Sequence, residues 1–161
     1  MKTIIYTLLI IIFVALQTTF FRYTANFLNC APQVVLILVV SCAVLRGRVT
    51  GTVIGLVSGL IIDIISGHAI GLNALLLMHL GFLSAWFCKK FYNTSYKVVL
   101  IFVVLSNIIY SLLYYFFSFA IWGNGNFVAA LWKVILPEIW WTMIIALPIF
   151  WIIEKIVKER G

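Results

Sequence analysis

Four acidic residues, two histidines and three cysteines are all that this sequence of 161 residues offers for acid–base, nucleophilic or metal chemistry. Cys30, Cys42 and Cys88 are scattered, with no CxxC pair and no histidine at ligand spacing. Neither a disulfide framework nor a metal site is implied, and the cysteines read as small apolar side chains. No Ser/His/Asp set, paired carboxylates or HExxH occurs, so an enzyme has no residues to act through, and no catalytic, cofactor-binding or metal-binding residue is assigned. His79 stands alone on an apolar stretch and reads as a packed neutral histidine with a backbone partner. Glu138 follows Pro137 at the positive end of its expected helix, where a carboxylate is favoured, and needs no special role.

Asp63, the one aspartate, is harder to place. It ends the run "GTVIGLVSGLIID" at 51–63, in which Gly51, Gly55 and Gly59 recur at steps of four and Gly47 extends the series. Small residues at that spacing let helices approach closely in lipid, where apolar side chains alone give little drive to associate. The stripe Gly47, Gly51, Gly55 and Gly59 is therefore a packing face, for a neighbouring helix of this chain, for a second copy or for a partner's helix. A carboxylate inside a span costs about 2.5–3.5 kcal/mol on insertion scales, so Asp63 needs compensation. Its place in the last turn of a helix, where the macrodipole is negative, makes this need greater. The candidates are Arg22, Lys133 and His68, the Asn73 amide, and backbone N–H groups of the turn "SGHAIG" at 66–71. Asp63, Gly67, Gly71 and Asn73 thus form an expected polar turn, serving either the fold or a partner or substrate near the outer surface.

The elements that must hold these residues are membrane helices. Hydrophobic residues make up 65% of the chain and charged ones 9%, too few polar groups to cover a water-soluble core. There is room for about six spans of roughly 20 residues, and little for a soluble domain. We expect an all-α, single polytopic membrane domain over 1–161, with spans at 3–21, 27–45, 49–65, 72–88, 98–121 and 137–153 and an interfacial or re-entrant segment at 127–136. The first run lacks a small-x-small cleavage site and reads as a retained helix. "FLNC" at 27–30 is a poor lipoprotein signal, because Asn29 stands where a small residue is expected. Pro32 and Pro137 fall in first turns, where helices tolerate proline.

The net charge of +7 sits in short clusters between apolar runs, the topology signal of a membrane protein and not a nucleic-acid surface. With six spans, Lys2, Arg46, Arg48, Lys89, Lys90, Lys97 and the tail "EKIVKERG" share one side, and only Arg22 and Lys133 lie on the other. The positive-inside rule then places both termini in the cytoplasm. Trp122, Trp132, Trp140 and Trp141 fall at the outer interface and Trp86 and Trp151 at the inner one, as in an aromatic belt.

The segment "GLVSGLIIDIISGHAIGLNALL" at 55–76 resembles the rod shape-determining protein MreD family. Gly55, Gly59, Asp63, Gly67 and Gly71 match its pattern of glycines at four-residue steps, an Asp one turn later, a small-residue turn and a Gly opening the next helix. The resemblance implies a non-enzymatic subunit of the bacterial cell-elongation complex in the cytoplasmic membrane. Such a subunit binds the single-span scaffold MreC and, with it, helps link MreB filaments to a RodA-type polymerase and its transpeptidase partner in peptidoglycan synthesis. It also implies a fold like the substrate-binding subunits of energy-coupling-factor vitamin transporters.

That transporter role is the main alternative. It requires a polar pocket open to the outside, whereas the outer loops here are short and poor in hydrogen-bonding side chains. A lipid or wall-precursor enzyme or flippase would gather several ionisable groups inside the bundle, where this chain has one deep Asp and one deep His.

Overall fold

A computed structural model of the chain describes residues 2–20, 32–67, 71–90, 96–122 and 135–159. They form six helices: α1 Lys2–Ala15, α2 Val34–Arg46, α3 Arg48–Ser66, α4 Leu72–Lys90, α5 Tyr96–Trp122 and α6 Leu136–Glu159. A wider π-helical turn, Leu16–Phe20, prolongs α1. At this turn the Thr18 hydroxyl donates to the Val14 carbonyl at 2.8 Å, the back-bonding by which Ser and Thr loosen a helical ladder.

Three helices are long and apolar enough to cross a membrane, over Arg48–Ser66, Val98–Phe117 and Leu136–Ile156, and three are shorter apolar helices. The chain is a multi-pass membrane protein, since a bundle so apolar has no solvent but lipid for its outer faces. Val49, Ile64, Ile101, Trp140, Ile144 and Trp151 all point outward from it.

Hydrogen bonds across the bundle fix the helix directions. Gln17 at the end of α1 meets Gln33 and Val35 at the start of α2, so these helices are antiparallel. The Gln33 amide donates to the Thr142 hydroxyl at 3.2 Å, which puts the beginning of α6 at the same end of the bundle. The free ends of α1 and α6 therefore both lie at the opposite end.

The second helix occupies the centre. From Val34 to Ala43 no residue is more than 1% exposed, and α2 touches each of the other five helices. Its apolar sequence carries no polar face that could have distinguished a helix sheathed in protein from one bathed in lipid.

Residues 27–31 of the expected second span and 127–134 of the expected interfacial segment lie outside the described residues. The last helix starts at Leu136, with Pro137 in its first turn, and runs through Pro148 to Glu159. Pro148 lies inside this helix. Its nitrogen cannot donate to the carbonyl one turn earlier, a loss that membrane helices accommodate by local adjustment.

Candidate functional site

The α3–α4 pair makes the most extensive contact in the bundle, and glycine brings the two backbones together. A Cβ on Gly55 would sit 2.7 Å from the Leu77 carbonyl carbon, and one on Gly59 would sit 2.6 Å from the Ala74 amide nitrogen. At Gly51 the added carbon would meet Ala43 of α2, its Cα at 2.8 Å. From α4, Gly81 answers Gly51, each backbone filling the space the other leaves. The face of Gly51, Gly55 and Gly59 is thus occupied by α2 and α4 of the same chain. Gly47 stands apart from it: nothing lies within 4 Å of an added Cβ, and its φ of +98° makes the sharp link between α2 and α3.

Asp63 is 1% exposed, and its carboxylate caps the next helix. One oxygen, Oδ2, accepts from the Gly71 amide at 3.0 Å and the Ala74 amide at 3.1 Å. The other accepts from the Asn73 amide at 3.2 Å and the Asn73 side-chain amide at 2.7 Å. Two of the four donors, the Asn73 and Ala74 amides, are first-turn N–H groups of α4 and a third, Gly71, directly precedes it; such N–H groups have no partner within their own helix. The carboxylate at the unfavourable end of α3 is therefore also at the favourable end of α4. Gly71 makes this geometry with φ +98°, a backbone region that glycine enters without steric cost. Gly67 closes α3 in the left-handed conformation and donates its amide to the Asp63 carbonyl at 3.1 Å.

The Asn73 side chain carries the network into the bundle. Its Oδ1 accepts from the Tyr110 hydroxyl, whose ring stacks on Tyr114 at 5.9 Å between centroids. Beyond these rings lies a partly open cavity of about 190 Å³, reached by Gln17, Gln33, Ser66, Asn73, Ser111 and Glu138 and walled by Tyr110, Tyr114 and Tyr115. Gln17 fixes its rim, donating to Gln33 Oε1 at 3.1 Å and accepting from the Val35 amide at 2.8 Å. Glu138 is 5% exposed and accepts from the Ser111 hydroxyl at 3.1 Å. Sequence reasoning gave Glu138 no role beyond its helix end. A signal was present in the amides of Gln17 and Gln33, costly polar groups within apolar runs, and in the i, i+4 spacing of Tyr110 and Tyr114.

The other singled-out residues lie elsewhere. His79 donates from Nδ1 to the Leu75 carbonyl at 2.8 Å, near the surface. Cys42 and Cys88 are buried free thiols, and among the described residues no group of three or more metal-ligating side chains converges. Arg22, His68 and Lys133, the expected cationic partners for Asp63, lie outside the described residues, and so does Cys30.

The geometry offers a saturated, structural carboxylate at Asp63 and a recess lined by amides, hydroxyls and one further carboxylate. No curated protein and no solved structure matches the chain. A family model described as "rod shape-determining protein MreD" matches residues 1–160, which include the glycine face, the Asp63 cap and the cavity. The chain belongs to the rod shape-determining protein MreD family.

Proposed function

We propose that this protein is a non-enzymatic subunit of the bacterial cell-elongation complex, binding an MreC-type scaffold in the cytoplasmic membrane. Through that scaffold it supports peptidoglycan synthesis by a RodA-type polymerase and its transpeptidase, coupled to MreB filaments. The observation that carries this reading is the family match across residues 1–160. The basic clusters favour cytoplasmic termini, which puts the Asp63 end of the bundle outside. The α3–α4 pair, held by Gly51, Gly55, Gly59 and the Asp63 cap, is then a stiff platform, and a partner helix or juxtamembrane segment docks on its outward surfaces. The glycine face of α3 is already filled by α2 and α4.

The test is recovery of the tagged protein from its native cells in mild detergent, with mass spectrometry of what accompanies it. A single-span scaffold with wall-elongation enzymes is expected. An ATPase pair with a coupling membrane subunit would overturn the proposal in favour of a vitamin-uptake role and the transporter-like fold that goes with it. The cavity is the observation that favours that second reading. Its volume of about 190 Å³ argues against it, being below the roughly 300–1,000 Å³ typical of pockets for drug-sized ligands.

A further inference from the structure

The two buried carboxylates at this end of the bundle are satisfied to very different degrees. Asp63 receives four N–H donors, enough to fill both oxygens. Glu138, in the first turn of α6, has the Ser111 hydroxyl and the Gln33 side chain as partners, and it also borders open volume. An intramembrane carboxylate that borders a polar cavity marks a place where a charge or a strong donor is received.

The walls say which kind. Tyr114, which stacks on Tyr110 and meets Tyr115 edge to face at 6.0 Å, lines the recess together with them and with Glu138, and aromatic rings beside a carboxylate are a composition suited to a cation. Among the described lining residues the one ionisable group besides the tyrosines is the Glu138 carboxylate, with no lysine, arginine or histidine. Gln17 and Ser66 supply neutral hydrogen-bonding groups at the rim. In size, a cavity near 150 Å³ accommodates benzene, so about 190 Å³ suits a group of roughly six to ten non-hydrogen atoms.

We propose that this cavity is a binding site for a primary ammonium group on a short polar stem, held by the Glu138 carboxylate against the Tyr114–Tyr115 wall. The ammonium comes either from a free small amine or from an aminophospholipid headgroup. The site does not depend on the scaffold reading, because it is formed within one chain.

The experiment is calorimetric titration of the purified full-length protein in detergent with ethanolamine, ethylene glycol and glycolate, which are similar in size and differ in charge. Ethanolamine is expected to bind at least tenfold more tightly than ethylene glycol, with glycolate showing no binding. This comparison uses the natural chain alone, so it stands even where a variant fails to fold. Glu138→Gln keeps the shape and is expected to weaken ethanolamine at least tenfold; Tyr115→Leu, removing one wall, is expected to weaken it about three- to tenfold. Titration is then repeated in lipid nanodiscs with and without phosphatidylethanolamine. Weaker ethanolamine binding in its presence identifies the headgroup as occupant, and equal binding identifies a free amine. Equal affinity for ethanolamine and ethylene glycol would mean a merely hydrated recess and would overturn the proposal, as would no ethanolamine binding in detergent or nanodiscs, or undiminished binding by a folded Glu138→Gln protein.

Discussion

Replacing Asp63 with alanine should unfasten α3 from α4 at their shared end, and the size of the effect follows from the four donors left behind. The Asn73 and Ala74 residues are 4% and 2% exposed, so their backbone amides would lose their acceptor with little access to water. A buried donor without a partner costs about 1–3 kcal/mol, or roughly 2–6 kcal/mol for these two amides. Gly71 is half-buried and the Asn73 side chain borders the cavity, so water takes over part of their bonding. Against this stands the relief of removing a charge from the span, about 2.5–3.5 kcal/mol on insertion scales. That relief is incomplete, because the unfolded chain in a micelle also keeps the carboxylate near water. A net loss of about 2–4 kcal/mol remains, and at roughly 2–4 °C per kcal/mol for a chain of this length the melting temperature should fall by about 4–16 °C. Asp63→Asn keeps one acceptor oxygen but turns an amide toward N–H groups, and should lose about half as much. The assay is thermal unfolding in detergent, followed by monodispersity and by helical content. A melting temperature for Asp63→Ala within about 2 °C of the parent would refute the capping argument. If the α3–α4 platform also serves the scaffold, the same variant should lower scaffold recovery and widen the cells. Normal expression with unchanged recovery and cell width would remove Asp63 from the docking proposal.

Gly55→Ala and Gly59→Ala force α3 and α4 apart and should sharply reduce folded yield. Gly67→Ala, which meets nothing, should cost only the roughly 1–2 kcal/mol of a left-handed residue; equal effects at all three sites would undo the close-packing account. Tyr110→Phe deletes one hydroxyl donor to Asn73 and should destabilise by about 0.5–1.5 kcal/mol, read from the same melts; a loss as large as that of Asp63→Ala would show that the tyrosine carries more than this bond. A cysteine placed at the exposed Lys155 should react with a membrane-impermeant thiol reagent only after the cytoplasmic face is opened; labelling of intact cells would reverse the proposed orientation.

Some of this was legible in the residues and some could not be. The four-residue glycine step announces a close helix contact in any membrane chain, and an aspartate one turn beyond it demands donors, which the turn before Asn73 was able to supply. Which helix fills the glycine face is a separate matter, because Gly81 and Ala74 carry no mark pairing them with Gly51 and Gly59. The central place of α2 was also hidden. Lipid and protein interior select the same apolar side chains, so Val34–Ala43 would read alike in either setting. The cavity was least legible of all: Gln17, Gln33, Ser111 and Glu138 come from four different helical segments and acquire a shared meaning only when those segments converge.

The enclosure of α2 bears on how the protein is made. A ribosome releases this helix well before α5 and α6, so for much of synthesis the segment that ends at the centre must wait against lipid or the insertion machinery. Its final neighbour across Gln33 and Thr142 is 109 residues away, on α6. Closure is consequently a late event in biogenesis. Chains stalled before α6 would present Gln33 to the hydrocarbon without its Thr142 partner, and membrane proteases that survey unassembled segments would meet such chains as unfinished.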